Sequence, residues 1–366
     1  MSPAPAIPGT YRRMLELLAE PAAMVELTEP EWDALLPLSR ATRLFSRLAA
    51  LAAGAGLLAR LPAKVQDHMA AALRWVAHRR QKILWELYHL ERALEGIETP
   101  IVVLKGAGYL LAGLRVAEGR TFADVDLLLS RESLIQAERA LRDGGWQAPA
   151  LDDYDQRYYR AWMHELPPLR HPERQVEVDL HHTLAPPTGR IKVDPAPLLA
   201  AAVPLAGSRF WVPGPADMVL HSALHLFYGG EFDHGLRDLS DLDLLMREFG
   251  ARDPGFWPAL VDRATALGLG RPLAYALRYT QRLFRTPVPE PIVARADRLG
   301  PPKPLRRVMD ALFETALTPR NPAAVEGASA QARRLLWIRS HWLKMPPGLL
   351  LSHALHKIRK GKKARL

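Results

Sequence analysis

Through residues 1–95 the apolar positions recur near helical spacing. Leu15, Leu17, Leu18 and Ala19 form one group, Leu35, Leu36 and Leu38 a second, and Leu44, Leu48, Leu51 and Leu57 a third. The stretch Ala63–Ile97 repeats the pattern at greater length with Trp75, Ile83, Leu84, Leu87, Leu90 and Leu94, and stops near Gly96 and Pro100. Some of its charges fall at i,i+4 distance, as on a solvated helix face. At Pro100 the period changes. Ile101-Val102-Val103-Leu104 is a short continuous β-branched run, which predicts a buried strand. Lys105-Gly106-Ala107-Gly108 follows, and then an apolar helix-like run to Leu114. Ala123–Leu129 predicts a second strand, and Ser130 an N-cap for a helix over Glu132–Arg142 that ends at Gly144-Gly145. His164–Arg170 and Gln175–Leu180 flank the turn-like His171-Pro172-Glu173-Arg174 and predict a hairpin. Its second arm alternates Val176, Val178 and Leu180 against Gln175, Glu177 and Asp179.

After about residue 205 the period returns to helical, with helices expected over Asp217–Phe227 and Leu236–Phe249 and more to about 345. Pro-rich patches near 285–304 and at Met345-Pro346-Pro347 mark loops. No internal repeat is present. The plan is α+β: an N-terminal helical region over 1–97, a small mixed α/β core over 98–204, a C-terminal helical region over 205–345 and a tail over 346–366.

Composition narrows this plan. No run reaches the roughly 18 uninterrupted apolar residues of a spanning helix. The first residues lack an apolar segment with a small-residue cleavage site, so the expectation is a cytoplasmic chain. Absence of cysteine excludes disulfides and thiolate metal sites. The formal charge is +10, but the last ten residues, KIRKGKKARL, hold six Lys and Arg and no acid. The body is therefore only mildly basic, which argues against a body-wide nucleic-acid surface. The tail is either a solvated terminus or, together with Trp337, Trp342 and Leu349-Leu350-Leu351, a weak attachment to an anionic membrane such as the inner membrane's surface.

The candidate chemistry begins at Asp124-Val125-Asp126. On a strand, residues i and i+2 face one way, so both carboxylates project together while Val125 enters the core. Such a pair suits Mg²⁺ or Mn²⁺, the ions of phosphoryl-transfer sites, although a polar strand end facing solvent would read the same way. Upstream, Lys105 and Gly106 stand at a strand end and helix start, where a lysine and free amides favour phosphate. Arg120 could pair with a phosphate or with a surface acid. Downstream, Glu177, Asp179 and His181 share one strand face. Asp179 is the favoured third carboxylate, as a metal ligand or as base toward an acceptor hydroxyl, with Glu177 its competitor.

The order of these motifs resembles the uncharacterised bacterial nucleotidyltransferase family of the DNA-polymerase-β-like superfamily. The carrying residues are Leu104-Lys105-Gly106, Arg120, Asp124-Val125-Asp126-Leu127-Leu128, Gly145-Trp146 and Val178-Asp179-Leu180-His181, over about residues 75–250. His221, His225 and the stretch Leu236–Leu242 are similar to that family's C-terminal part. The resemblance implies a mixed sheet of about five strands, with Asp124 and Asp126 on one strand and Asp179 on its neighbour. It implies Mg²⁺ or Mn²⁺ on these carboxylates and an NTP as substrate, with the glycine turn on the phosphates. Lys-Gly-Ala-Gly departs from the superfamily's usual Gly-Ser or Gly-Gly, and His182 stands where an aromatic is usual. The acceptor is open: a small molecule, a sugar phosphate, a tRNA end or a protein side chain. A catalytically inactive version that binds a nucleotide or a protein partner is the alternative. Arg237, Asp238 and Asp241 lie in one helical turn, either to close over the nucleotide or as a structural ion-pair cluster. His221 and His225 stand at i,i+4, a spacing that serves zinc or simple packing.

Overall fold

The computed structural model describes residues 9–318, 327–353 and 356. The basic block at 357–366, on which the membrane expectation rests, lies outside the described residues. Six strands form one mixed sheet: β1 (Ile101–Val103), β2 (Asp124–Leu128), β3 (Leu169–Arg170), β4 (Glu177–His181), β5 (Val203–Pro204) and β6 (Phe210–Val212). The order across the sheet is β3-β4-β2-β1-β6-β5. β2 pairs antiparallel with β1 and parallel with β4, and β1 pairs parallel with β6. The expected hairpin is present but interrupted. Only Leu169 and Arg170 pair with β4 as a strand, and Glu165 meets His181 in an isolated bridge. Pro167 and Pro168 lie between these contacts, and proline has no N–H to give a ladder. The β5–β6 hairpin carries the sheet on to Val212, past the expected core boundary at residue 204.

Side-chain alternation sorts the two faces of the sheet. Val125, Leu127, Val178, Leu180, Ile101, Val103 and Phe210 enter one apolar cluster, with Ile83, Leu87 and Leu90 of helix Ala63–Ala93 and Leu134, Ala137 and Leu141 of helix Arg131–Asp143. Ser130 caps the latter helix as expected, its hydroxyl accepting from the Ser133 amide at 3.2 Å. Val102, Leu104, Leu128 and Val212 point the other way. They join a larger cluster with the N-terminal helices and with helices Pro215–Gly229, Gly235–Arg252 and Gly270–Phe284. The polar residues of β2 and β4 therefore lie on the side of this helical mass, with Asp126 and His181 buried against it and Asp124 open at the start of its strand.

A short helix, Lys105–Leu111, leaves β1 with almost no loop. The backbones come so close that a Cβ at Gly108 would overlap the Val103 carbonyl. Gly108→Ala gains helix propensity but meets backbone that cannot swing aside. We expect it to destabilise the chain by about 1–3 kcal/mol, as overpacking does, read as a lower urea midpoint at unchanged slope. A midpoint at or above wild type would mean that the contact relaxes freely.

Candidate active site

β2 and β4 are held in a register that sets Asp124 opposite Glu177, Asp126 opposite Asp179, and Leu128 opposite His181. Paired residues of neighbouring strands face the same side, so the four acids and His181 share the face toward the helices. Within that row the environments diverge. Asp124, at the start of β2, is exposed, while Asp126 is buried at 3%. Asp126 Oδ1 accepts from Lys105 Nζ at 3.0 Å and from His181 Nε2 at 2.9 Å. Glu177 is drawn toward solvent, where its Oε2 accepts from Arg170 Nη2 at 2.9 Å. That ion pair occupies Glu177 and leaves Asp179 as the acid next to Asp126.

Lys105 reaches Asp126 because the chain turns sharply at the end of β1. Its φ of 44° is left-handed, a conformation that costs a non-glycine residue on the order of 1–2 kcal/mol. The Leu104 amide still donates to the Asp126 carbonyl at 2.9 Å, which fixes the turn against β2. Burial alone would lower the Lys105 ammonium, but Asp126 and Asp124 hold it above the ordinary lysine value. Burial likewise opposes ionisation of Asp126, yet Lys105 and the His181 hydrogen bond keep that carboxylate well below its usual range. Asp124 is raised, first because the protein packed around its end of the strand strips away part of the surrounding water even though its surface stays open, and then by Asp126. Asp179 is pushed up to about 9 by burial, and after that by Asp126, Glu165, Glu177 and Asp124. One ammonium does not balance this group of acids, and the oxygen donors of Asp124, Asp126 and Asp179 are of the kind a hard divalent cation such as Mg²⁺ or Mn²⁺ takes, although among the described residues their carboxylates do not stand together as a group of three within 4.8 Å.

Arg120 and Asp241 meet below this row. Asp241 Oδ2 accepts from Arg120 Nε and Oδ1 from Arg47 Nη2, both at 2.8 Å. Arg47 also donates to Ser240 Oγ and the Val116 carbonyl. The Arg120 guanidinium and the Phe122 ring fill the space where a Gly106 side chain would stand. Gly106 thus makes room for Arg120, whatever its amide also contributes. Arg237 and Asp238 pair with each other, Nη2 to Oδ1 at 2.6 Å, beside Arg43. Lys105, Arg120 and Arg237 all favour the ionised form of Asp124.

Next to Lys105 opens a cavity of about 430 Å³, lined among others by Tyr158, Tyr159, His164, Glu165, His221 and Lys344. Burial and then Lys105 depress His221 to about 3, so its ring is neutral. His225 also lines the cavity, where solvent reaches it, and Lys105 followed by burial holds it well below the ordinary imidazole value. Among the described residues neither belongs to a cluster of three ligands. His182 turns away from the acids and bonds the Met163 carbonyl. Trp337 and Trp342 are half-exposed on helix Ala328–Lys344, the second under the Arg190 guanidinium. Arg43, His164 and Glu165 are near the acids without having stood out in the sequence. Arg43 lies 81 positions before Asp124, and no local pattern links the two.

A small mixed sheet with acids aligned on two neighbouring strands, wrapped by helices, is consistent with a nucleotidyltransferase core. The chain belongs to the uncharacterised nucleotidyltransferase family, whose model matches residues 28–285. The match takes in the helices from Glu29 onward as well as the sheet, a wider span than the motifs alone cover. Neither the curated proteins nor the solved structures give a match. Among the described residues no helix is long and apolar enough to cross a membrane.

Proposed function

We propose that the chain transfers a nucleoside monophosphate from an NTP to an acceptor, with Asp124, Asp126 and Asp179 as ligands of Mg²⁺ or Mn²⁺. The observation that carries this reading is the register of β2 and β4, which aligns Asp126 with Asp179 and keeps Asp124 on the same face. Bound divalent ions would neutralise triphosphate charge and acidify an acceptor hydroxyl. Lys105 stands at the end of this row, where its ammonium can pair with a phosphate oxygen. The first-turn amides at Lys105 and Gly106 have no intrahelical acceptor and add donors. Arg120 retains its Nη groups for the same purpose while Nε holds Asp241. The acceptor oxygen attacks the α-phosphorus, the bond from that phosphorus to the β-phosphate oxygen breaks, and pyrophosphate leaves. The acceptor's proton passes to Asp179, the acid that the register sets beside Asp126. The cavity beside Lys105 is where the acceptor docks.

A thermal-shift panel of the four NTPs with Mg²⁺, Mn²⁺ or a chelator tests this on wild type and Asp124→Asn. The cognate nucleotide at about 100 times its dissociation constant adds about 2.7 kcal/mol of stability. The shift should require metal and should disappear in Asp124→Asn. Nucleotide stabilisation that survives both chelator and mutation would move the site elsewhere.

A further inference from the structure

We propose that His164, Glu165 and His181 form a metal site that holds Zn²⁺, separate from the row of Asp124, Asp126 and Asp179 and open to the cavity beside Lys105. The proposal does not depend on nucleotidyl transfer. Its first support is geometric. One donor atom from each of the three residues lies within 4.8 Å of the other two. Glu165 Oε2 is 3.6 Å from His181 Nδ1 and 3.7 Å from His164 Nε2. Donors about 2.0–2.1 Å from a tetrahedral zinc stand about 3.3–3.5 Å apart, so the two edges at Glu165 need shifts of only a few tenths of an ångström to hold an ion, and the His164–His181 edge closes from within 4.8 Å.

The second support is an unsatisfied atom. His181 is 2% exposed, and its Nδ1 has no hydrogen-bond partner. Its Nε2 lies against the Asp126 carboxylate, which can only accept, so the proton of a neutral ring sits on Nε2. Nδ1 faces the Glu165 carboxylate at 3.6 Å, an approach that a metal ion between the two would complete. Asp126 acts as the outer carboxylate that orients a metal-bound imidazole. Two imidazole nitrogens with one carboxylate suit zinc better than magnesium. The backbone holds this arrangement firmly. The His182 amide donates to the His164 carbonyl and the Leu166 amide to the Leu180 carbonyl, both at 2.9 Å, on either side of the Glu165–His181 bridge. His164 and Glu165 line the cavity whereas His181 lies behind them. The ion's fourth position therefore opens toward the cavity, for water or an oxygen or nitrogen donor of a small ligand.

The test is equilibrium dialysis of metal-stripped full-length chain against Zn²⁺ with elemental analysis, followed by Co²⁺ substitution and visible absorption. Wild type should retain one Zn²⁺ per chain and give the intense bands of tetrahedral Co²⁺ with nitrogen ligands. His164→Ala and Glu165→Gln should weaken zinc binding on the order of 100-fold or more, beyond the roughly 10–100-fold effect of losing an outer partner. Should His164→Ala fail to fold, the isosteric Glu165→Gln decides alone. The double variant Asp124→Asn/Asp179→Asn should keep the zinc, which separates this site from the aspartate row. No retained zinc in wild type would mean that a proton bridges His181 and Glu165, and would overturn the proposal. So would zinc lost with the aspartates, or zinc kept at wild-type affinity in Glu165→Gln.

Discussion

Asp126→Asn should lower metal-dependent pyrophosphate release from the cognate NTP by about 10²–10³-fold while the chain remains folded. The magnitude follows from position. Asp126 is the most buried of the three aspartates, sits opposite Asp179, and takes both Lys105 and His181 on a single oxygen. Asparagine keeps the shape and one acceptor but removes the charge that binds a cation and that fixes the Lys105 ammonium. Lys105 is partly exposed and can take water instead, so stability should fall by only about 1–3 kcal/mol. Glu177→Gln is the control. It lies on the same face, two residues before Asp179, but pairs with Arg170 at the solvent edge. Its release rate should stay near that of wild type, with the nucleotide's dissociation constant unchanged. If Asp126→Asn kept full activity, or if Glu177→Gln lost as much, the strand register would have no bearing on chemistry.

The parts of this arrangement that were legible in the sequence are those that depend on short range. Period-two alternation over Asp124–Leu128 and Glu177–His181 already placed the acids on one face of each strand, because strand geometry leaves no other choice. The helix behind Ser130 and the strand at Ile101 were legible for similar reasons. Pairings between distant segments were not. That β4 lies beside β2 was suggested only by the motif order, and that the two run parallel is settled by packing across the sheet. The break in the first hairpin arm is invisible in the alternation, which says nothing about ladder donors, and Pro167-Pro168 lack them. Arg120 illustrates the limit most clearly. A basic residue four positions before an Asp pair reads as the partner of a phosphate or of a surface acid, and neither reading names the buried Asp241, 121 positions further on, that holds its Nε. Glu165 is another instance: the sequence put it in a hairpin arm, and only the bend after Met163 sets it and His164 beside His181.

Asp241→Ala should be the most damaging single substitution for stability, at about 3–5 kcal/mol, because it strands two buried cations at once. The Asp241 side chain is 2% exposed, with Arg47 at 4% and Arg120 at 11%. Replacing a buried ion cluster with a matched apolar one can be neutral, but removing only the anion leaves two buried positive charges uncompensated, with Arg47 held only by the neutral Ser240 hydroxyl and Val116 carbonyl. Burial would raise Asp241, but Arg120 and Arg47 prevail and hold it below the ordinary carboxylate range. A depressed carboxylate contributes its full stability above the unfolded value of about 3.9 and loses it as pH falls through the folded value. The urea midpoint of Asp241→Ala should therefore drop sharply at pH 7, and the gap from wild type should narrow toward strongly acidic pH. Asp241→Asn keeps one acceptor for one arginine and should fall between the two. The damage should also reach the candidate active site, since Arg120, freed from Asp241, no longer stays packed over Gly106. NTP affinity should then fall in whatever fraction of Asp241→Ala remains folded at low temperature. A loss below about 1 kcal/mol at neutral pH would show that water reaches the two arginines, and that the cluster does not support the Gly106 turn.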